Sequence, residues 1–146
     1  MPVRSLRSSV LKWPEREVVL TAARRWANEQ VRRHPELLAL GCYGSYARGD
    51  WGVGSDLDVV AIVQCCDAPF ERRALSWDLD ALPVPTEILV YTRAEWERIL
   101  RGGRRFGRML RDETMWLWVR AGAKEFRRAP VQANTRTPRP RLRGGG

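Results

Sequence analysis

The spacing of apolar residues near the start of the chain predicts one long helix. Its apolar stripe recurs at positions i, i+3, i+4 and i+7 and consists of Val19, Ala22, Ala23 and Trp26. Pro14 suits the first turn of such a helix, and the pair His34-Pro35 is expected to end it. The predicted helix therefore spans residues 14–33.

Four short apolar runs have the length and composition of β-strands. They are LLALGCY at residues 37–43, DLDVVAIV at residues 56–63, TEILVY at residues 86–91 and MWLWV at residues 115–119. The second run is rich in β-branched side chains, which pack well in strands. These runs predict four strands, and the last is the shortest.

Further helices are predicted between these strands. The turn DAP at residues 67–69 signals a helix that runs to about residue 81, where two prolines follow. The sequence TRAE at residues 92–95 is a capping box for a helix that ends near residue 100, and a short helix is expected at residues 106–111. This order predicts an α/β (α+β) fold, in which a small mixed β-sheet has helices packed on one face.

The charge distribution divides the chain into a domain and a tail. The 146 residues carry a net charge of +9, of which six arginines after Glu125 supply six, with no acid among them. This tail, residues 127–146, is rich in Pro, Arg and Gly and is expected to be disordered, whereas residues 1–126 are expected to form one domain. A basic tail of this kind is a candidate nucleic-acid contact.

Composition argues against several classes of protein. His34 is the only histidine, and three cysteines fit neither a disulfide framework nor a paired zinc motif. No apolar run approaches the length of a membrane span, and the first residues lack the apolar centre of a signal peptide. The expectation is a cytoplasmic protein that does not contact membranes.

Three acidic residues are expected to share one face of the sheet. Asp56 and Asp58 are two residues apart in a strand, so their side chains point the same way, and Glu87 lies near the start of the next predicted strand. If these two strands are neighbours, the three carboxylates converge. Since no basic partner accompanies them, a hard cation such as Mg²⁺, which prefers oxygen ligands, would resolve their repulsion.

A glycine-rich turn precedes these acids. Gly44-Ser45 follows a strand and is expected to open a short helix, where backbone amides and a hydroxyl can bind phosphate. Arg48, one turn further on, could reach the same phosphate as a charged donor. Only residues 46–55 separate the turn from Asp56, so a metal and a phosphate chain would meet at one edge of the sheet.

The segments Gly44-Ser45, Arg48-Gly49 and Ser55-Asp56-Leu57-Asp58 together resemble the nucleotidyltransferase superfamily that includes DNA polymerase beta. The resemblance is greatest to its minimal members, similar to the kanamycin nucleotidyltransferases and the antitoxins that partner small helical HEPN ribonucleases. It covers roughly residues 37–91 and implies the nucleotidyltransferase fold. It also implies transfer of a nucleoside monophosphate from an NTP, expected to be ATP, to a hydroxyl acceptor, with release of pyrophosphate.

The resemblance also implies a role for each site residue. Asp56 and Asp58 would hold two Mg²⁺ ions, and Glu87 would be the third metal ligand beside the acceptor, although many relatives carry aspartate there. Gly44 and Ser45 would bind the phosphates of the nucleotide, with support from Arg48. The acceptor stays open between a small hydroxyl compound, a nucleic-acid end and a hydroxyl of a protein partner such as a HEPN-type toxin.

Several alternatives accompany this interpretation. Asp78-Leu79-Asp80 repeats the acidic triplet, but it falls on a predicted helix without a preceding Gly-Ser turn and is interpreted as a solvated face. Trp51 lies in the glycine-rich loop, where an aromatic ring could contact a nucleobase. A function of another class is a non-catalytic module that binds nucleic acid or a partner through the arginine-rich tail. A homo-oligomer is also left open.

Overall fold

A four-stranded mixed sheet organises residues 13–126, the part of the chain that the computed structural model describes. The predicted tail, residues 127–146, lies outside the described residues. In chain order the elements are α1 (Arg16–Arg33), β1 (Leu37–Tyr43), α2 (Ser45–Arg48), β2 (Leu57–Val63), α3 (Phe70–Arg73), a 3-10 turn (Ala74–Ser76), β3 (Thr86–Thr92), α4 (Arg93–Arg101), α5 (Arg105–Glu113), β4 (Met115–Val119) and a second 3-10 turn (Lys124–Phe126).

The strand order is β3-β2-β1-β4, with β1 antiparallel to both of its neighbours and β2 parallel to β3. The predicted mixed sheet and α/β class are therefore confirmed, and the second and third strands are neighbours as the site prediction required. In the register of this sheet Asp58 pairs with Tyr43 on one side and with Glu87 on the other. One row of side chains thus crosses three strands.

Helices cover both faces of the sheet, which corrects the expectation that they pack on one face. Helix α1 packs with Leu57 and Val59 on one side, whereas α4 and α5 pack with Val60 and Ile62 on the other. The cause lies in β2, whose residues 59–63 are all buried. A strand that is apolar on both faces needs a helical layer on each side.

The helix predicted to run to residue 81 is much shorter, and this prediction is wrong in extent. Helix α3 and the 3-10 turn end at Ser76, and Trp77 is extended and stacks on His34 with ring centroids 3.7 Å apart. The indole of Trp26 donates a hydrogen bond to the Asp78 carbonyl, and the Asp78 side chain accepts one from the Asp80 amide. Contacts with α1 therefore replace helical hydrogen bonds in this segment.

The remaining helices follow the sequence closely. Helix α1 starts two residues after Pro14 and buries Val19, Ala23 and Trp26 of the predicted stripe. Both hydrogen bonds of the predicted capping box between Thr92 and Glu95 are formed. The short helix predicted at residues 106–111 extends by one residue at its start and two at its end. Across the described residues, the helices are too short or too polar to span a lipid bilayer.

Candidate functional site

The acidic row lies where β2 and β3 begin. Asp58 and Glu87 are in register on neighbouring parallel strands, and Asp56 directly precedes β2. Neighbouring strands lie about 4.8 Å apart, so the two paired carboxylates share one face at close range. Leu57 and Val59, the residues on either side of Asp58, are fully buried on the opposite face. The register therefore places Asp58 and Glu87 side by side on one face, and Asp56 adjoins them at the start of β2.

The electrostatics of Asp58 reflect this crowding. Burial raises the pKa of the Asp58 carboxyl, and the carboxylates of Glu87 and Asp56 raise it further, whereas the Arg48 guanidinium acts in the opposite direction. Among residues 13–126, none of the three acids forms an ion pair. Asp58 is therefore a half-buried acid whose negative charge is poorly compensated.

The donor set of this row fits a hard divalent cation, because it consists of carboxylate oxygens from adjacent backbone positions. In their present rotamers, however, no three His, Cys, Asp or Glu side chains within residues 13–126 are close enough to share an ion. Asp56 and Glu87 are exposed to solvent, where side-chain rotamers interconvert readily. The residues thus suit Mg²⁺, and binding would draw them together.

Gly44 brings the preceding turn against the acidic row. Its φ of 79° and ψ of −152° belong to a region that side chains rarely adopt, and a Cβ there would lie 2.6 Å from Oδ2 of Asp58. Only glycine therefore allows the turn and the carboxylate to approach each other this closely. Ser45 then begins the four-residue helix α2, where the first backbone amides have no partner within the helix.

Arg48 ends α2 and is held by two acids. Its Nε lies 3.0 Å from Oδ2 of Asp50, and its Nη1 lies 3.1 Å from Oε1 of Glu113. These two hydrogen bonds raise the pKa of the guanidinium, which stays charged and exposed at the edge of the turn. Arg48 thus lies beside the predicted phosphate site, but its donors are directed to carboxylates.

Sequence reasoning missed two residues that border the site. Glu113 is one; it lies in the last turn of α5, where the helix dipole disfavours negative charge, but two residues beyond the predicted end of that helix. Tyr43 is the other, since it pairs with Asp58 in the sheet register and meets Phe106 edge-on at 6.1 Å. Burial raises the pKa of the Tyr43 phenol, and Asp58 adds to the shift. Tyr43 therefore stays a neutral hydrogen-bonding group beside the acids.

Trp51, a candidate nucleobase contact, packs inward against the glycine-rich turn. It is half-buried and stacks on Tyr46 with ring centroids 5.7 Å apart and planes 8° from parallel. The Tyr46 hydroxyl in turn accepts a hydrogen bond of 3.1 Å from the Trp13 indole. These contacts give Trp51 a role in holding the loop. Asp78 and Asp80 of the repeated triplet are solvent-exposed, as interpreted from the sequence, but they lie outside the helix predicted for them.

Comparisons with known proteins identify a family and a similar fold. A family model described as "Nucleotidyltransferase domain" matches residues 24–105, more than half of the chain. A solved protein of Sulfolobus solfataricus assigned as a nucleotidyltransferase has a TM-score of 0.55 at 18% identity and covers 73% of this chain and 86% of its own. A toxin–antitoxin structure with AMP-PNP has a TM-score of 0.48 at 17% identity and covers 70% of this chain and 78% of its own. No curated protein resembles the chain closely enough to count as a match.

Proposed function

Because the chain belongs to the nucleotidyltransferase domain family, we propose that it transfers a nucleoside monophosphate from ATP or another NTP to a hydroxyl acceptor and releases pyrophosphate. The observation that carries this proposal is the register of Asp58 and Glu87 beside the Gly44 turn, with no cation paired to any acid of the row among the described residues. Such an arrangement combines a cation site with a phosphate site at one sheet edge.

Each residue of the site has a role in this proposal. The turn at Gly44 and Ser45 receives the phosphate chain of the nucleotide through backbone amides and the serine hydroxyl. Arg48 exchanges its contact with Glu113 for a nucleotide phosphate, which its exposure permits. Asp56, Asp58 and Glu87 hold the divalent cations that the family implies. When bound, these ions neutralise charge on the phosphates and lower the pKa of the acceptor hydroxyl.

The acceptor hydroxyl must give up a proton as it attacks the α-phosphorus, and Glu87 is the acid best placed to receive it. Glu87 is exposed at the outer end of the row, so an acceptor can approach it from solvent. The α-phosphorus gains a bond to the acceptor oxygen while its bond to the bridging oxygen of pyrophosphate breaks. Protein hydroxyls, including that of a HEPN-type partner, stay a predicted acceptor class on the basis of the resemblance.

Asp58→Asn tests the proposal, because asparagine keeps the shape of the side chain and removes its charge. Calorimetry is expected to show that the variant loses Mg²⁺-dependent ATP binding, and transfer of radiolabel from the α-phosphate of ATP should fall at least about 100-fold. Asp80→Asn is the matched control, since Asp80 is exposed in a turn outside the row and its side chain forms no ion pair within residues 13–126. If Asp58→Asn binds and transfers like Asp80→Asn, the proposed metal site is wrong.

The alternative function, a non-catalytic module that binds through the tail at residues 127–146, is less well supported. A binding module has no need for three uncompensated acids on one face, since they lower the stability of the fold. The retention of Asp56, Asp58 and Glu87 as acids therefore favours catalysis. Salt-sensitive RNA binding without any ATP binding would reverse this preference.

A further inference from the structure

The helical hairpin formed by α4, the turn at Gly102 and Gly103, and α5 concentrates positive charge on its surface. Residues 93–113 contain seven arginines and four acids. Two of those acids are engaged elsewhere, Glu95 by Arg73 and Glu113 by Arg48. Five arginines of the hairpin are exposed and form no ion pair within residues 13–126, and we call them the arginine patch: Arg98, Arg101, Arg104, Arg105 and Arg108.

The arrangement of the arginine patch carries a cost for the helices. Arg98 and Arg101 are neighbours on one helical surface, and Arg105 and Arg108 are neighbours on the other, each pair three residues apart. Like charges at this spacing destabilise a helix by a few tenths of a kcal/mol. Guanidinium groups in such rows match phosphate groups, which accept their paired hydrogen bonds.

The hairpin also borders the candidate active site. Along one flank of α5, Phe106 meets Tyr43, the neighbour of Asp58 in the sheet, and Glu113 holds Arg48. These two contacts are about 10 Å apart along the helix, so α5 runs beside the site. Helix α5 therefore carries three arginines at its start and also contacts two residues beside the acidic row, and Phe106 is 42% exposed.

We propose that the arginine patch binds the phosphate backbone of a single-stranded nucleic acid whose terminal hydroxyl is the acceptor. A strand held along the outer surface of α5 can present its end to Glu87, and Phe106 offers a surface on which a base can stack. Binding by the patch stands by itself, whereas the role of the strand as acceptor rests on the proposed function. An acidic protein is less favoured, because exposed aromatic and arginine side chains together suit bases and phosphates.

Fluorescence anisotropy with the full chain tests the binding, using a short fluorescein-labelled oligouridylate and the matching oligothymidylate at several salt concentrations. The hairpin variant replaces four arginines by glutamine: Arg101, Arg104, Arg105 and Arg108. A matched tail variant makes the same charge change outside the hairpin, at Arg136, Arg139, Arg141 and Arg143. Circular dichroism checks that both variants are folded.

The hairpin variant is expected to bind the oligonucleotide at least about tenfold more weakly than the parent. The slope of its log binding constant against log salt concentration should be smaller in magnitude by about 2 to 3, whereas the tail variant should lose much less affinity. Equal losses in both variants, or no binding by the parent at low salt, would overturn the proposal. Polyglutamate that competes as well as the oligonucleotide would also overturn it and would indicate an acidic protein.

Transfer of radiolabel from α-labelled ATP to the oligonucleotide tests the acceptor role. The parent should label the strand, Asp58→Asn should bind it without labelling it, and the hairpin variant should keep Mg²⁺-dependent ATP binding while labelling falls. If the parent neither binds ATP nor labels any acceptor, the proposed function fails, and the binding result still stands by its own measurement. If the parent labels a protein acceptor but not a strand that it binds, the acceptor assignment is overturned.

Discussion

Replacing Gly44 by alanine tests how closely the phosphate turn and the acidic row are joined. The new Cβ would lie 2.6 Å from Oδ2 of Asp58, about 0.8 Å inside the 3.4 Å at which ordinary van der Waals contact begins. Asp58 is anchored in β2, so only its carboxylate can move away. We therefore expect Gly44→Ala to displace the carboxylate and to disturb the backbone amides of the turn.

The size of the effect follows from two contributions. Backbone strain at a glycine-only conformation such as that of Gly44, with φ 79° and ψ −152°, costs about 1–3 kcal/mol. Gly49→Ala is a matched control, because Gly49 has φ 89° and no atom within 4 Å of the added Cβ. Holding an alanine at position 49 in this left-handed conformation costs about 1–2 kcal/mol. The contact with Asp58 should make Gly44→Ala more destabilising than the control by about 1 kcal/mol.

Urea unfolding followed by tryptophan fluorescence measures the stabilities, and calorimetry measures Mg²⁺-dependent ATP binding. Gly49→Ala should bind ATP like the parent, whereas Gly44→Ala should lose measurable binding. Adding Asp58→Ala to Gly44→Ala removes the contact and should recover its share of stability. The reasoning is refuted if Gly44→Ala and Gly49→Ala have the same urea midpoint and both bind ATP normally.

Two further predictions concern stability. Arg73, whose side chain is 8% exposed, donates two hydrogen bonds to Glu95 and others to two backbone carbonyls. Arg73→Met should lower the free energy of unfolding in urea by about 3 kcal/mol, more than Glu95→Gln does. A decrease below about 0.5 kcal/mol would contradict this. Because the pKa of Asp58 is raised in the folded state, the fold favours the protonated carboxyl. The stability that this group contributes is fully present below its unfolded pKa of 3.8 and is lost as pH rises through its folded pKa. Asp58→Asn should therefore melt at a higher temperature than the parent at pH 7 but not at pH 3, and a lower melting temperature at pH 7 would contradict this.

Local patterns predicted most of the sheet. The apolar runs gave strands at the expected places because each was bounded by glycine, proline or polar residues; β2 starts one residue later than predicted and β3 ends one residue later. The shared face of Asp56, Asp58 and Glu87 follows from strand alternation together with one assumption, that β2 and β3 are neighbours. That assumption concerned topology and could not be checked from local pattern alone.

Features that depend on distant contacts could not be predicted in this way. The segment after Ser76 leaves the helix because Trp77 stacks on His34, which is distant in sequence. The ion pair of Arg48 with Glu113 joins residues 65 positions apart, so no spacing rule indicates it. The second helical layer is different, because the continuous apolar run at residues 59–63 is itself typical of a strand buried on both faces and could have indicated it.

The acidic row is more informative in this chain than it would be in an acidic protein. With 26 basic residues against 17 acids, partners for Asp56, Asp58 and Glu87 are plentiful in the sequence. Within residues 13–126 the nearest candidate, Arg48, is instead directed to two other carboxylates. The described part of the chain therefore leaves the row without an ion-paired guanidinium, although pairing would stabilise it. A site that must accept Mg²⁺ and release it has this requirement, because a permanent guanidinium partner would occupy the oxygens that the metal needs.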